Sequence, residues 1–209
     1  MTEHLSDQEQ IQMLKNWWKQ YGMTLVIGLC VFLSASYGWR YWQQYKTHQT
    51  ELASMIYSEV INLNDMNKAD EVKVLTENLL KDYPRTVYAS LAALIVAKDA
   101  VESDKLADAE QKLQWVVDKG KQKALQQLAR IRLARVLLAD KKPTEALAVL
   151  AKLDVTTALT AEAAEVKGDV LVVLGKKAEA LQSYQIALTI NKVKAVESPL
   201  LQMKIQEVQ

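Results

Sequence analysis

Histidine, cysteine, glycine and proline are all scarce in this 209-residue chain, and each shortage removes a class of fold or function. There are two histidines, His4 and His48, far apart in sequence, and one cysteine, Cys30. No Cys–His spacing for a metal exists, and one thiol cannot close an intramolecular disulfide. Cys30 lies in the most apolar stretch, where a buried and inert role is expected, so cysteine says nothing about redox compartment. Six glycines and three prolines disfavour sheets with tight turns, while abundant Ala, Leu, Lys, Glu and Gln favour helices. Gly120, Gly168 and Gly175 are isolated, so there is no glycine-rich phosphate loop, and no G-x-S-x-G motif exists. A catalytic triad would lack a base. An excess of one charge is missing too: 26 basic residues face 25 acidic ones. Beyond residue 42 the balance is 23 basic to 22 acidic. No basic field exists to collect phosphates, which excludes nucleic acid as a partner. No enzymatic activity, cofactor or metal is expected.

What the chain does have is one long apolar run. Between Lys19 and Arg40 lie 20 residues without a charge, QYGMTLVIGLCVFLSASYGW. As a helix they would span about 30 Å, the hydrocarbon thickness of a bilayer. Trp17, Trp18 and Tyr21 stand at one end; Tyr37, Trp39, Tyr41 and Trp42 stand at the other. Aromatics at both ends of an apolar run are the pattern of membrane-interface belts, with membrane lipid as the partner. A buried core helix would not need them. A cleaved signal peptide fits less well: the preceding 20 residues are long and partly acidic, and the run exceeds a usual signal core. Thr24 with Gly28, and Ser34 with Gly38, are small-xxx-small pairs, a weak sign of helix association in lipid. Orientation is a tie, with Lys15 and Lys19 on one side and Arg40 and Lys46 on the other.

From Gln43 onward the apolar spacing is helical. Breaks recur at Asn64-Asp65, Tyr83-Pro84, Glu102-Ser103-Asp104, Lys119-Gly120, Lys142-Pro143, Asp154, Gly175-Lys176, Asn191 and Pro199. The segment KKPTEALAVL (141–150) aligns with GKKAEALQSY (175–184) at an offset of 34 residues, and KLADAEQKLQWVV (105–117) aligns at an offset of 37. A period of 34 is that of the tetratricopeptide repeat. That repeat needs small residues where its two helices cross. They are Ala97 and Ala109, then Ala134 and Ala146, then Gly168, Ala180 and Ala187, with Tyr184 as the large residue between the last two. The assignment is strongest within 86–192 and weak for 43–83.

The predicted architecture is all-α: one N-terminal transmembrane helix, then a tetratricopeptide-repeat-like stack of antiparallel helix pairs. The segments are 1–19, a short N-terminus; 20–42, the spanning helix with its aromatic flanks; and 43–209, the repeat domain. Residues 43–63 either extend the membrane helix or begin the first hairpin. Leu201, Ile205 and Val208 share one face of a final helix that caps the stack. In tetratricopeptide repeats the first helix of each pair lines a concave groove, and the resemblance implies groove positions at Leu91, Leu94 and Lys98, then Leu128, Ile131, Arg135 and Leu138, then Glu162, Glu165, Asp169 and Val172. The middle set is apolar enough for either a partner's apolar segment or the core itself. The acidic set reads as a solvated face before it reads as acid–base machinery.

The order of a short polar N-terminus, a spanning helix, Gly-Trp-Arg-Tyr-Trp at 38–42 and degenerate repeats is distinctive. Arg-Leu-Ala-Arg-Val at 132–136 precedes Glu-Ala-Leu at 145–147, and Gln-Met-Lys-Ile stands at 202–205. The whole resembles the YfgM family of bacterial inner-membrane proteins, ancillary subunits of the Sec translocon. The resemblance implies a single-pass inner-membrane protein, N-terminus in the cytoplasm and repeats in the periplasm. It implies association with the SecYEG translocon and with a membrane-anchored periplasmic chaperone of the prolyl-isomerase type. The implied role is to link emerging secretory proteins to periplasmic chaperones. A cell-envelope assembly or division adaptor is the alternative.

Overall fold

A computed structural model describes residues 7–154 and 159–209. These residues form α1 (Asp7–Asp65), α2 (Ala69–Asp82), α3 (Val87–Glu102), α4 (Leu106–Lys119), α5 (Lys123–Ala139), α6 (Pro143–Leu150), α7 (Thr160–Val173), α8 (Lys177–Val193) and α9 (Pro199–Val208). The all-helical architecture expected from the composition is the one observed. By contacts the chain divides into two compact units, Met1–Gln49 and Thr50–Gln209, and α1 contributes to both.

In the first unit α1 is uncharged all round between Lys19 and Arg40. Met23, Val31 and Phe32 are 75%, 63% and 68% exposed, on a helix long and apolar enough to cross a membrane. Cys30 is exposed as well, so the chain itself does not bury it, and the burial expected for this thiol would have to come from an apolar medium around the helix. The helix has no break at Trp42 and runs on to Asp65, so residues 43–63 continue it.

In the second unit the last turns of α1 also join the core, which unites the two alternatives for this segment. Ala53 and Val60 are fully buried, and the Tyr57 ring lies 5.5 Å from that of Tyr88 on α3. Successive helices then pack as neighbours from α2 through α9. α3 is rich in small buried residues, among them Ala89, Ala92, Ala93, Ala97 and Ala100, whose small side chains let neighbours approach closely. One apolar core runs from Ala53 to Val170. A second holds Leu171, Ala180, Tyr184, Ala187, Leu201 and Val208, and Leu147 packs on both.

The helix ends follow local chemistry. Thr86 caps α3, its Oγ1 accepting from the Ala89 N–H at 3.4 Å. Pro143 and Pro199 occupy the first turns of α6 and α9, where a missing N–H costs nothing. One turn recurs throughout. Asn67, Asp104, Lys141 and Gly175 adopt left-handed φ of 56°, 57°, 60° and 74°. Each is followed by a lysine whose N–H reaches back to close the preceding helix: Lys68 to Leu63 O at 3.0 Å, Lys105 to Ala100 O at 2.8 Å, Lys142 to Leu137 O at 2.8 Å and Lys176 to Leu171 O at 2.9 Å. The turn joining α1 to α2 is thus the turn inside each later pair, which extends the repeat into the region where the sequence pattern is weak. One break falls later than expected. α8 continues through Asn191, whose amide donates to Ser198 Oγ at 2.8 Å, and the left-handed residue is Ala195.

Candidate functional site

The aromatic flanks of the spanning segment sit on α1 at helical spacing, and two pairs of rings meet at a tilt. Trp17 and Tyr21 have ring centroids 6.1 Å apart, and Trp39 and Trp42 are 5.5 Å apart. Trp18 covers Gly22, and Lys46 Nζ lies 3.9 Å from the centre of the Trp42 ring, a cation–π contact. Tyr37 and Tyr41 point outward, 76% and 74% exposed. Apolar bodies with polar tips on an exposed helix are suited to the headgroup layer.

The small residues expected at helix crossings are all buried. Ala97 is 2% exposed, and Ala109, Ala134, Ala146, Ala180 and Ala187 are 0%. Gly168 is the extreme case, because a Cβ there would overlap the Tyr184 ring. Tyr184 is itself buried, and its hydroxyl donates to Asp169 Oδ1 at 2.8 Å. Burial first, then the hydrogen bond to Asp169, pushes the Tyr184 pKa well above the ordinary phenol value.

The expected groove holds core, half-buried and charged residues. Leu94 and Ile131 are in the core, at 6% and 0% exposure, so Ile131 cannot meet a partner. Leu91, Leu128, Leu138 and Val172 are half-buried. The acidic positions on α7 are held within the chain. Glu162 accepts from Arg135 at 2.6 Å, and Lys204 of α9 bridges Glu165 and Asp169 at 2.8 and 2.9 Å. Burial alone would lower the Lys204 pKa, but hydrogen bonds to both carboxylates outweigh it and raise the value. α7 therefore lies between a cation from α5 and a cation from α9, which leaves its carboxylates little freedom for acid–base work or for a basic partner. Among the described residues, no group of three or more His, Cys, Asp or Glu side chains is placed to hold a metal.

Two features escaped the sequence reading. The second helices of successive pairs are tied by ion pairs: Lys73 to Asp108 at 3.2 Å, Lys112 to Glu77, and Lys142, just ahead of α6, to Glu110 at 3.0 Å. Lys112 is 6% exposed, so its pair with Glu77 is screened on one side. Its spacing from Glu77, close to the repeat length, was the available signal. The other feature is a cleft of 340 Å³ between α3 and α5, with α4 beneath it. Lys98 and Arg135, both expected groove residues, stand at its rim, and Arg132 joins them.

A family model described as a tetratricopeptide repeat-like domain matches residues 15–209, membrane segment included. A curated protein of Neisseria gonorrhoeae, described as an ancillary SecYEG translocon subunit, is 31% identical over 211 residues, covering 98% of both chains. Proteins with the same description from Haemophilus influenzae and Escherichia coli are 28% and 24% identical. They cover 90% and 98% of this chain, and 91% and 98% of their own lengths.

Proposed function

This chain belongs to the family of ancillary SecYEG translocon subunits with a tetratricopeptide repeat-like domain, and from that premise we propose that it links emerging secretory proteins to periplasmic chaperones. The observation that carries the proposal is the full-length match to translocon subunits, in a chain that joins a membrane-length helix to a stack of repeats. In this reading the spanning segment, 20–42, lies in the bacterial inner membrane with residues 1–19 in the cytoplasm. The repeat domain from residue 43 stands in the periplasm, where SecYEG releases its cargo. Its partners are SecYEG and a membrane-anchored chaperone of the prolyl-isomerase type. Anchoring supports the role physically: a tethered binding surface meets each emerging chain at high effective concentration without needing high intrinsic affinity.

Two measurements test it. Protease added to osmotically opened cells should digest the repeat domain without detergent and spare the N-terminus; digestion only after detergent would place the domain in the cytoplasm and end the proposal. Gentle solubilisation should co-purify SecYEG and the chaperone. Loss of SecYEG from every such preparation would remove the translocon role, and loss of the chaperone alone would remove the linking role.

A further inference from the structure

We propose that the cleft between α3 and α5 docks an acidic, leucine-type apolar segment of another protein; this rests on reading the repeat domain as a protein-binding module. The two helices each present one face to the cleft. α3 supplies Leu94, Lys98 and Val101, and α5 supplies Arg132, Arg135 and Val136, both at helical spacing. The floor is apolar and rigid, since Leu94, Leu113 and Val136 are 6%, 2% and 5% exposed. Val101 is 43% exposed on the wall, a branched side chain left in water. The volume of 340 Å³ is at the small end of the roughly 300–1,000 Å³ typical of ligand-sized clefts, so it suits anchoring side chains rather than a folded domain.

Charge selects the occupant. Three cations and one carboxylate, Glu102, line the rim. Glu102 is paired with Lys98 at 3.0 Å, and Arg135 is paired with Glu162 at 2.6 Å. Arg132 is exposed and makes no ion pair with any described residue. Its guanidinium is thus a forked donor beside an apolar floor, and a carboxylate is the group that matches it. The neighbouring groove on α7 cannot do this work, because its charges are acidic and already neutralised within the chain. A segment with aliphatic or aromatic anchors next to Asp or Glu satisfies both the floor and the rim.

The test uses the full chain in lipid nanodiscs and a random peptide library displayed on phage. Selected peptides should combine an acidic residue with a neighbouring Leu, Ile or Phe. A synthetic copy of the selected peptide should bind about tenfold more weakly to Arg132→Glu and to Val101→Asp, and more weakly at high salt. Both positions are exposed, so the variants should fold, which circular dichroism checks. Replacing the peptide's acidic residues with lysine should restore binding to Arg132→Glu. Selection of neutral or basic peptides, no selection at all, or binding untouched by either substitution would overturn the proposal. SecYEG co-purification of the wild-type chain separates the two readings. If SecYEG is retained while the peptide result fails, only the cleft is wrong; if SecYEG is lost, the translocon role is wrong.

Discussion

At the residue scale the tightest constraint is Gly168, which lies against the Tyr184 ring with no room for a methyl group. Gly168→Ala should destabilise the full chain by about 1–3 kcal/mol, measured by thermal unfolding in detergent micelles, because Tyr184 is buried and cannot swing away freely. Tyr184 also carries a pH dependence. Its folded-state pKa is raised, so its contribution is complete below about pH 10, the ordinary tyrosine value, and is lost as pH rises through the higher folded value. Tyr184→Phe should cost about 0.5–1.5 kcal/mol at neutral pH through the lost bond to Asp169, and should flatten the fall in stability on the alkaline side. A steeper alkaline fall in the variant would contradict this. Ala195 sits at φ 54° without the freedom that glycine gives Gly175. Ala195→Gly should therefore stabilise by about 1 kcal/mol, seen as a higher unfolding midpoint.

At the element scale, the helices were legible because their ends are written in local chemistry. Pro84, Pro143 and Pro199 each stand just outside or just inside a helix, and Gly120 follows α4. The repeat was legible at Gly168, Ala180 and Tyr184, where close packing demands particular sizes. It was faint before residue 86 because the left-handed turn at Asn67 is made by a different residue each time: Asn, Asp, Lys and Gly share a backbone conformation without sharing a residue type. The final helix was legible as a cap through Leu201, Ile205 and Val208, but Lys204, the residue that ties it to α7, carries no pattern of its own. Lys204→Ala leaves Glu165 and Asp169, 24% and 27% exposed, without their α9 cation. Hydrogen exchange in α9 should then quicken roughly five- to thirtyfold, as expected for a loss of about 1–2 kcal/mol. Unchanged α9 protection would show that apolar contacts alone hold it.

At the scale of the whole molecule, the membrane-length helix was legible from 20 uncharged residues and their aromatic ends, and the exposed surface of α1 agrees. Sidedness was not legible from charge, because Lys15 and Lys19 balance Arg40 and Lys46. The cleft was half legible: Lys98 and Arg135 were marked as groove residues, yet its walls come from helices 37 residues apart, and only the fold reveals that Arg132 is left over. The placement of α9 has one more consequence. A column of stacked hairpins is a polymer of like units, and nothing in the unit itself says where growth should stop. α9 acts as a chain terminator, burying Leu201 and Val208 with Leu171, Ala180, Tyr184 and Ala187. A chain truncated after residue 198 would present that surface as a sticky end. Light scattering of the truncated chain in micelles should show concentration-dependent head-to-tail growth, whereas the chain that keeps α9 remains a finite particle.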